Sequence, residues 1–510
     1  MPDDSQVRAF YAGKNFFITG GTGFVGLCLI EKILRCMPDV GKIYLLMRPK
    51  KGKEISERLQ EFPKNPVFEK LLESHTPDVF QKLIPIAGDV GEENLGLDPQ
   101  DRQTLIDNVN VVIHSAATLD FQETLRPTVN INLLGTRRIM ELCKDTKNLK
   151  VMIHVSSAYV NSFLTEAHEK VYEAPEDPEK VISLVATLND EALLEIEPKL
   201  LKSHPNTYTF TKHLAEHEVV NCADLFPCTI VRPTMIVASW KEPLPGWTCS
   251  KVGPQGFLMG AAKGVVRRLP LAVENIADYI PVDVVVNQLL VAGWEAGKSQ
   301  SGLSVYHCSS STCKPFCWSM LDNIVNGMLH KYPLKSAVWY PHLKFVPSLL
   351  MFRISAIFVH FFPALLLDTM LRFTGGKPIL IRLHKNVWNS LSRLERFIFS
   401  EWRFYNPNTL ELCKKLNDTD KELFFIDIST IYWVEYFRTL HLGVRRYLNR
   451  EKESSLPAAR SKDMVLLTFH VIWQLLIMSL LWYLFACSTG LTFTQSAWIA
   501  PIIYILFSYL

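Results

Sequence analysis

The first half of the chain alternates short, unbroken apolar runs with longer segments in which apolar residues recur every three to four positions, a pattern that predicts alternating strands and helices. The runs fall at residues 14–19, 42–47, 83–87, 109–114, 151–155 and 229–231, rich in Val and Ile, as in strands buried on both faces of a parallel sheet. Residues 27–37 read as the first helix, with Ile30, Ile33 and Leu34 on one face. At least five βα units in succession predict an α/β fold, a doubly wound parallel sheet with helices on both sides. Residues 240–256, rich in Gly, Pro and Trp, read as a loop and as a lid on the substrate side.

Beyond about Ser311 this rhythm gives way to helical periodicity with bulky aromatics, so a helical C-terminal domain is expected, with the boundary between 330 and 355. Residues 345–373 are apolar but interrupted by Arg353, His360, Pro363, Asp368 and Arg372, the pattern either of a buried helix pair or of a segment dipping into one leaflet. Residues 464–487 are different: 24 positions without one Asp, Glu, Lys or Arg, where ~20 suffice to cross a bilayer as a helix. Trp473, Trp482 and Tyr483 accompany leucines on every face, which argues for lipid rather than a protein core. Arg445, Arg446, Arg450, Lys452, Arg460 and Lys462 precede this run and place everything N-terminal to it in the cytosol, in keeping with a start, from Met1, that lacks a basic and apolar leader. Residues 497–510 contain Pro501 and form half of a hairpin, an interfacial segment or a luminal tail. The expected division is 1–340 for the dinucleotide-binding body with its substrate lobe, 355–455 for the helical domain, 464–487 for the transmembrane helix and 497–510 for a second hydrophobic segment.

Composition sharpens this. With 48% hydrophobic and 21% charged residues and a mean hydropathy of +0.10, the chain is too apolar for disorder and consistent with lipid contact. A net charge of +3, with no Arg-rich arm, excludes a nucleic-acid surface. The 11 cysteines are odd in number and form no C-x-x-C pair, as expected of free thiols in a reducing compartment. A metal site at Cys313 and Cys317, the closest pair, would need nearby His or Cys partners that the local sequence supplies poorly, so they read as ordinary thiols and no metal site is expected.

Candidate chemistry gathers at three places. Thr19-Gly20-Gly21-Thr22-Gly23-Phe24-Val25-Gly26 follows the first strand and opens the first helix; glycines at 20, 23 and 26 allow a tight turn and close approach of backbone N–H groups to a pyrophosphate. Arg48 ends the second strand where an NAD-binding chain would present an acid to the ribose. A cation there favours the 2′-phosphate of NADP(H), the alternative being a solvated Arg beside Lys50, Lys51 and Lys53. Asp89, closing the third strand, stands either at the adenine edge or as a cap on the next turn. Tyr208 and Lys212, four apart, share one helix face, where the ammonium is expected to lower the phenol's pKa and make Tyr208 a usable acid or base. Ser156-Ser157 ends the 151–155 strand, placed to hydrogen-bond a substrate carbonyl and hold Tyr208 in register.

These three parts, with His114-Ser-Ala-Ala117, Asn132-x-x-Gly-Thr136 and Arg232-Pro233, resemble the extended short-chain dehydrogenase/reductase fold of Rossmann type. The segments WKEPLPGW (240–247), PVDVVVN (281–287) and LPAAR (456–460) further resemble the fatty acyl-CoA reductases, and the resemblance spans nearly the whole chain. It implies NADPH held by Gly20, Thr22, Gly23, Phe24, Gly26, Arg48, Asp89, Ala116, Asn132, Tyr208 and Lys212, with Ala116 in the pocket wall. It also implies a catalytic group of Ser157, Tyr208 and Lys212, supported by Asn132, with Ser156 the alternative to Ser157; His114 reads as a satisfied strand-end residue. The implied reaction takes long-chain fatty acyl-CoA to a primary alcohol in a membrane of the endoplasmic reticulum, the peroxisome being the alternative. Its rivals are a reductase that stops at the aldehyde and a hydroxysteroid or sugar-nucleotide dehydrogenase of the same fold.

Overall fold

The computed structural model of the protein describes residues 4–50, 52–373 and 375–509; Lys51, in the basic run after Arg48, and Leu510, at the end of the 497–510 segment, lie outside the described residues. Its chain divides into two compact units. The first comprises Met1–Cys249, Ile276–Phe316 and Glu401–Leu440, the second Ser250–Asn275, Cys317–Ser400 and His441–Leu510.

In the first unit the apolar runs become the strands of one seven-stranded sheet: β1 (Phe16–Thr19), β2 (Ile43–Met47), β3 (Leu83–Ala87), β4 (Val111–His114), β5 (Val151–Val155), β6 (Pro227–Pro233) and β7 (Gly302–Cys308). Every pairing is parallel and the spatial order is β7-β6-β5-β4-β1-β2-β3. Strand order therefore reverses between β1 and β4, and in such a sheet the ligand crevice lies at the carboxyl ends flanking that point. Both faces are covered. Helices α1 (Phe24–Cys36) and α4 (Val282–Ala296) pack together, α4 against the face of Ile153. Helices α2 (Gly135–Asp145) and α3 (Thr207–Val220) pack on the opposite face, that of Phe17, Val112 and Met152.

Strand β7 was not among the runs read from sequence, because Gly302, Ser304 and His307 interrupt its apolar pattern. It pairs with β6 alone, at the sheet's edge, and only its C-terminal half is buried. The expected helical stretch 355–455 contributes to both units, its 401–440 part tied to the first by buried carboxylates. Glu169 accepts from the His307 N–H (2.7 Å) and the Thr409 hydroxyl (2.8 Å), and Asp420 accepts from the Ser5 hydroxyl (2.5 Å).

The second unit contains a parallel strand pair, Arg268–Pro270 with Lys344–Val346, and long apolar helices. Residues Leu349–Phe373 form one continuous helical run, not a helix pair. Its polar residues His360 and Asp368 are buried while Leu350, Ile354, Phe358, Leu365 and Phe373 are exposed, so the apolar face points outward. Leu456–Thr489 is a 34-residue helix ending at Gly490, whose φ of 70° is the left-handed conformation that stops a helix. Ile499–Tyr509 folds back beside it, with the Trp482 indole donating to Ser496 Oγ at 3.0 Å, which is a hairpin.

Candidate active site

The turn after β1 is built for close approach. At Gly20, with φ +73°, a Cβ would lie 2.8 Å from the Ala116 nitrogen, and at Gly26 it would lie 2.3 Å from the Gly20 carbonyl oxygen, so neither position tolerates a side chain. Gly26 is buried under the turn while Thr22 and Gly23 stay exposed at the N-terminus of α1, the positive end of its dipole. Ala116 donates its N–H to Thr19 Oγ1 at 3.1 Å, joining the end of β4 to that of β1. Phe24 is half-buried, its ring 5.4 Å from that of the buried Trp247. This glycine cradle and free helix terminus fit a dinucleotide pyrophosphate.

Arg48 and Asp89 meet. Arg48 donates to Asp89 at 2.9 Å from a side chain 63% exposed, and Asp89 also accepts from the Gly91 N–H at 3.0 Å. Asp89 thus caps its turn and anchors the cation at the end of β2. Reaching a nucleotide, the guanidinium would exchange one anionic partner for another.

Behind the turn, β5 delivers Ser156 and Ser157 beside α3, whose start is fixed by Asn206 accepting from the Thr209 N–H at 2.9 Å. Tyr208, Lys212 and Glu216 follow one another down a buried stripe of this helix. The two serines have separate partners. Ser157 accepts from the Tyr159 N–H at 3.3 Å and lies close enough to the Tyr208 phenol to lower its proton affinity, whereas Ser156 donates to Glu216 at 2.5 Å. Glu216 in turn takes two bonds from Arg232, at 2.8 and 2.7 Å, an ion pair with both side chains fully buried.

Lys212, itself buried, donates to the Val155 carbonyl at 2.7 Å and to His154 Nε2 at 3.2 Å. Burial pushes its pKa down to about 8, and the Glu216 charge limits the fall. Burial pushes Tyr208 up to about 12, against the pull of Ser157. The expectation that Lys212 lowers the phenol toward neutrality is therefore corrected: desolvation outweighs every other influence on Tyr208, and the phenol holds its proton. Such a group is a proton donor.

Asn132 lies in a π-helical turn, Val129–Leu134, a local bulge often found at functional sites. It is buried and fully engaged, donating to Thr211 at 3.1 Å and accepting from the Thr118 N–H at 3.0 Å, so it ties α3 to the loop after β4. His114 is satisfied on both ring nitrogens by Thr19 (2.7 Å) and Thr136 (3.1 Å), and burial first, then the Lys212 charge, pushes it down to about 3. It is a neutral structural residue.

Residues 240–249 are not a free lid. The buried Asp283 carboxylate accepts the backbone N–H groups of Trp240, Lys241 and Glu242, at 2.9, 2.7 and 3.1 Å, and Glu242 pairs with Lys32 and with Arg35 (2.7 Å) on α1. Trp247 seals the clasp against Phe24. Sequence reading missed the parts played by His154, Glu216 and Asp283. The first two had a signal: a histidine inside a strand of otherwise apolar residues, and an acid one turn beyond Lys212.

Residues 18–289 match the NAD-binding family profile described as male sterility protein, and residues 359–451 match a second profile of the same description. The chain is 57% identical over 513 residues to a Drosophila melanogaster protein named for fatty acyl-CoA reductase activity, covering 99% of each. It is 36% identical over 481 residues to fatty acyl-CoA reductase 1 of Rattus norvegicus, covering 94% of this chain and 93% of that one. Among solved structures, the terminal reductase domain of the myxalamid pathway superposes with a TM-score of 0.56 at 18% identity, covering 86% of this chain and 92% of that one. The reductase domain of a Mycobacterium tuberculosis non-ribosomal peptide synthetase gives 0.55 at 17%, covering 88% and 96%. At these identities the superpositions speak to the fold alone.

Proposed function

The chain belongs to the fatty acyl-CoA reductases, and from that premise we propose that it reduces long-chain fatty acyl-CoA with NADPH, releasing CoA and passing through a held aldehyde to the primary alcohol. The observation that carries this reading is the meeting of Ser157, Tyr208 and Lys212 at the end of β5, in the same unit as the glycine cradle after β1.

In this reading Gly20, Gly23 and Gly26 hold the pyrophosphate, Arg48 the 2′-phosphate, and Lys212 the nicotinamide ribose. NADPH supplies a hydride, two electrons at a time, so a four-electron conversion of thioester to alcohol consumes two. Ser157 hydrogen-bonds the carbonyl oxygen, and Tyr208, protonated at working pH, donates its proton as that oxygen becomes an alkoxide. Lys212 presents its positive charge below about pH 8, and His154 with the Val155 carbonyl holds the ammonium in place. Ser156 takes no substrate role here, its hydroxyl being committed to Glu216.

We also propose that the protein is integral to a membrane, with the first unit on the cytosolic side and the endoplasmic reticulum favoured over the peroxisome. Among the described residues, two helices are long and apolar enough to cross, Leu349–Phe373 and Glu453–Thr489. The second is almost wholly exposed along its apolar length, a surface of Leu475, Leu476, Leu480 and Leu484 that water would not tolerate.

The test is stoichiometry with purified full-length protein and a C16 acyl-CoA: two NADPH oxidised per CoA released, alcohol as the product, and little aldehyde caught by an added hydrazine. One NADPH per CoA with stoichiometric aldehyde would overturn the alcohol endpoint, and equal turnover with NADH would overturn the cofactor preference.

A further inference from the structure

The helix Leu349–Phe373 has the length and apolarity of a bilayer span, yet its packing inside the second unit argues against a crossing. His360, the twelfth of its 25 residues, accepts the backbone N–H groups of Arg267 and Arg268 at 3.0 and 3.2 Å. Arg268 opens the strand pair in which it stands opposite Lys344. A two-stranded ribbon bearing charged residues is therefore fastened to the middle of the helix. Were the helix to span, that ribbon would lie at the centre of the hydrocarbon, where charged side chains and open strand edges are not stable.

The second apolar helix of the unit, Leu456–Thr489, gives the level of this fastening. Arg267 Nη2 donates to His470 Nε2 at 3.3 Å. His470 lies six residues into the uncharged run that begins at Met464, about 9 Å along a helix rising 1.5 Å per residue, near the edge of a bilayer and short of its centre. Trp339, with ring centres 6.4 Å from His470 and 6.1 Å from Trp473, adds the aromatic placement typical of that boundary. The middle of Leu349–Phe373 thus stands at a depth where a crossing helix would have one of its ends.

The chain then turns back. Asp368 accepts the backbone N–H groups of Ile379, Leu380 and Ile381, at 3.1, 3.1 and 2.9 Å, fixing the start of the helix Leu380–Arg393. The two helices run antiparallel: His384 stacks on His360 with ring centres 5.0 Å apart, and Arg353 donates to Ser392 at 3.3 Å. The returning helix is only 14 residues long and carries Arg382 and Lys385, both exposed, which unfits it as a second span. Residues 349–393 include six Lys or Arg and one acid, the buried Asp368. Leu350, Ile354, Phe358, Leu365 and Phe373 are exposed along one side of the first helix. An apolar stripe on a cationic body is the make-up of an interfacial element, and its cations are drawn to the anionic headgroups of a cytosolic leaflet.

We propose that Leu349–Phe373 and Leu380–Arg393 form a hairpin that lies in the cytosolic leaflet instead of crossing the membrane, with anionic phospholipid as its partner. The proposal rests on the membrane reading of Leu456–Thr489, which alkaline carbonate tests separately: extraction of the full-length protein would defeat that reading, whereas the sidedness and lipid contacts of the hairpin are read by other means.

Both measurements use the full-length chain. In sealed microsomes, Lys377→Cys at the hairpin turn should react with a membrane-impermeant maleimide before any detergent is added, as read at that residue by mass spectrometry. In nanodiscs of equal phosphatidylserine and phosphatidylcholine, Phe358→p-benzoylphenylalanine should crosslink to lipid on illumination, with phosphatidylserine adducts in about fivefold excess. Arg382→Gln together with Lys385→Gln, both at exposed positions, should bring that ratio toward one. Modification at 377 only after detergent opens the microsomes would make Leu349–Phe373 a span and overturn the proposal. So would the absence of lipid adducts at 358, or equal yields of the two adducts in the otherwise unmodified chain.

Discussion

Glu216→Gln separates the support of the site from its chemistry. In the native protein the carboxylate takes two bonds from Arg232 and one from Ser156, all three side chains buried, and both charged ones fully so. Burial raises its pKa, yet the Arg232 charge and these hydrogen bonds outweigh burial and leave it below the ordinary 4.5. The pair therefore contributes its full stabilisation above about pH 4.5 and loses it as pH falls through the depressed value. Glutamine keeps the size and some hydrogen bonds but leaves the Arg232 guanidinium buried and uncompensated, which costs about 3–5 kcal/mol. At roughly 2 °C per kcal/mol for a unit of this size, thermal unfolding should move down by about 6–10 °C. A second readout distinguishes this from simple damage. The Glu216 charge also holds up the proton affinity of Lys212, so its removal should shift the alkaline limb of kcat/KM below the native limb near pH 8. An unfolding temperature within a degree of the native value, or an unmoved alkaline limb in a folded variant, would refute the reasoning.

Three further outcomes are expected. Tyr208→Phe keeps the ring contact with Phe121 (5.3 Å between centres) but removes the proton donor, so kcat should fall ~10²-fold or more with NADPH affinity little changed, as single-turnover and binding measurements would show. Arg48→Asp should lose about 1–3 kcal/mol of NADPH binding by calorimetry while NADH binding changes little, and equal losses for both would remove Arg48 from the 2′-phosphate. A chain cut after Lys462 should leave the carbonate-resistant membrane fraction, and if it stays there the helix Leu349–Phe373 is itself inserted.

Local features of the chain were sufficient for six of the seven strands of the main sheet. Six strands lie where apolar runs place them; five of them, β1, β2, β4, β5 and β6, are buried on both faces, where regular polar positions are not accommodated. The TGGTGFVG turn was legible because only glycine fits a left-handed φ and a backbone approach below 3 Å. Tyr208 and Lys212 were legible because helical spacing alone puts them on one face.

What lay beyond sequence reading depends on partners distant in the chain. Ser156 and Ser157 are adjacent and identical, and only the packing of α3 against β5 ties one to Glu216 and sets the other near the phenol. Residues 240–256 read as a loop and lid by composition, yet Asp283, some forty residues beyond Trp240, clasps three backbone N–H groups at its start, because a buried carboxylate must be satisfied. Strand β7 escaped notice because an edge strand may be half polar; pairing with β6, not periodicity, makes it a strand. The proton affinities of Tyr208 and Lys212 were likewise beyond local pattern, since a four-residue spacing says nothing of desolvation. The amino-acid order thus determined six strands, the glycine turn and the helix face shared by Tyr208 and Lys212, which follow from short-range sterics and periodicity. The tertiary structure decided which serine is tied to Glu216, where the loop is held and which groups keep their protons, because these follow from burial and long-range hydrogen bonds that exist only once the chain is folded.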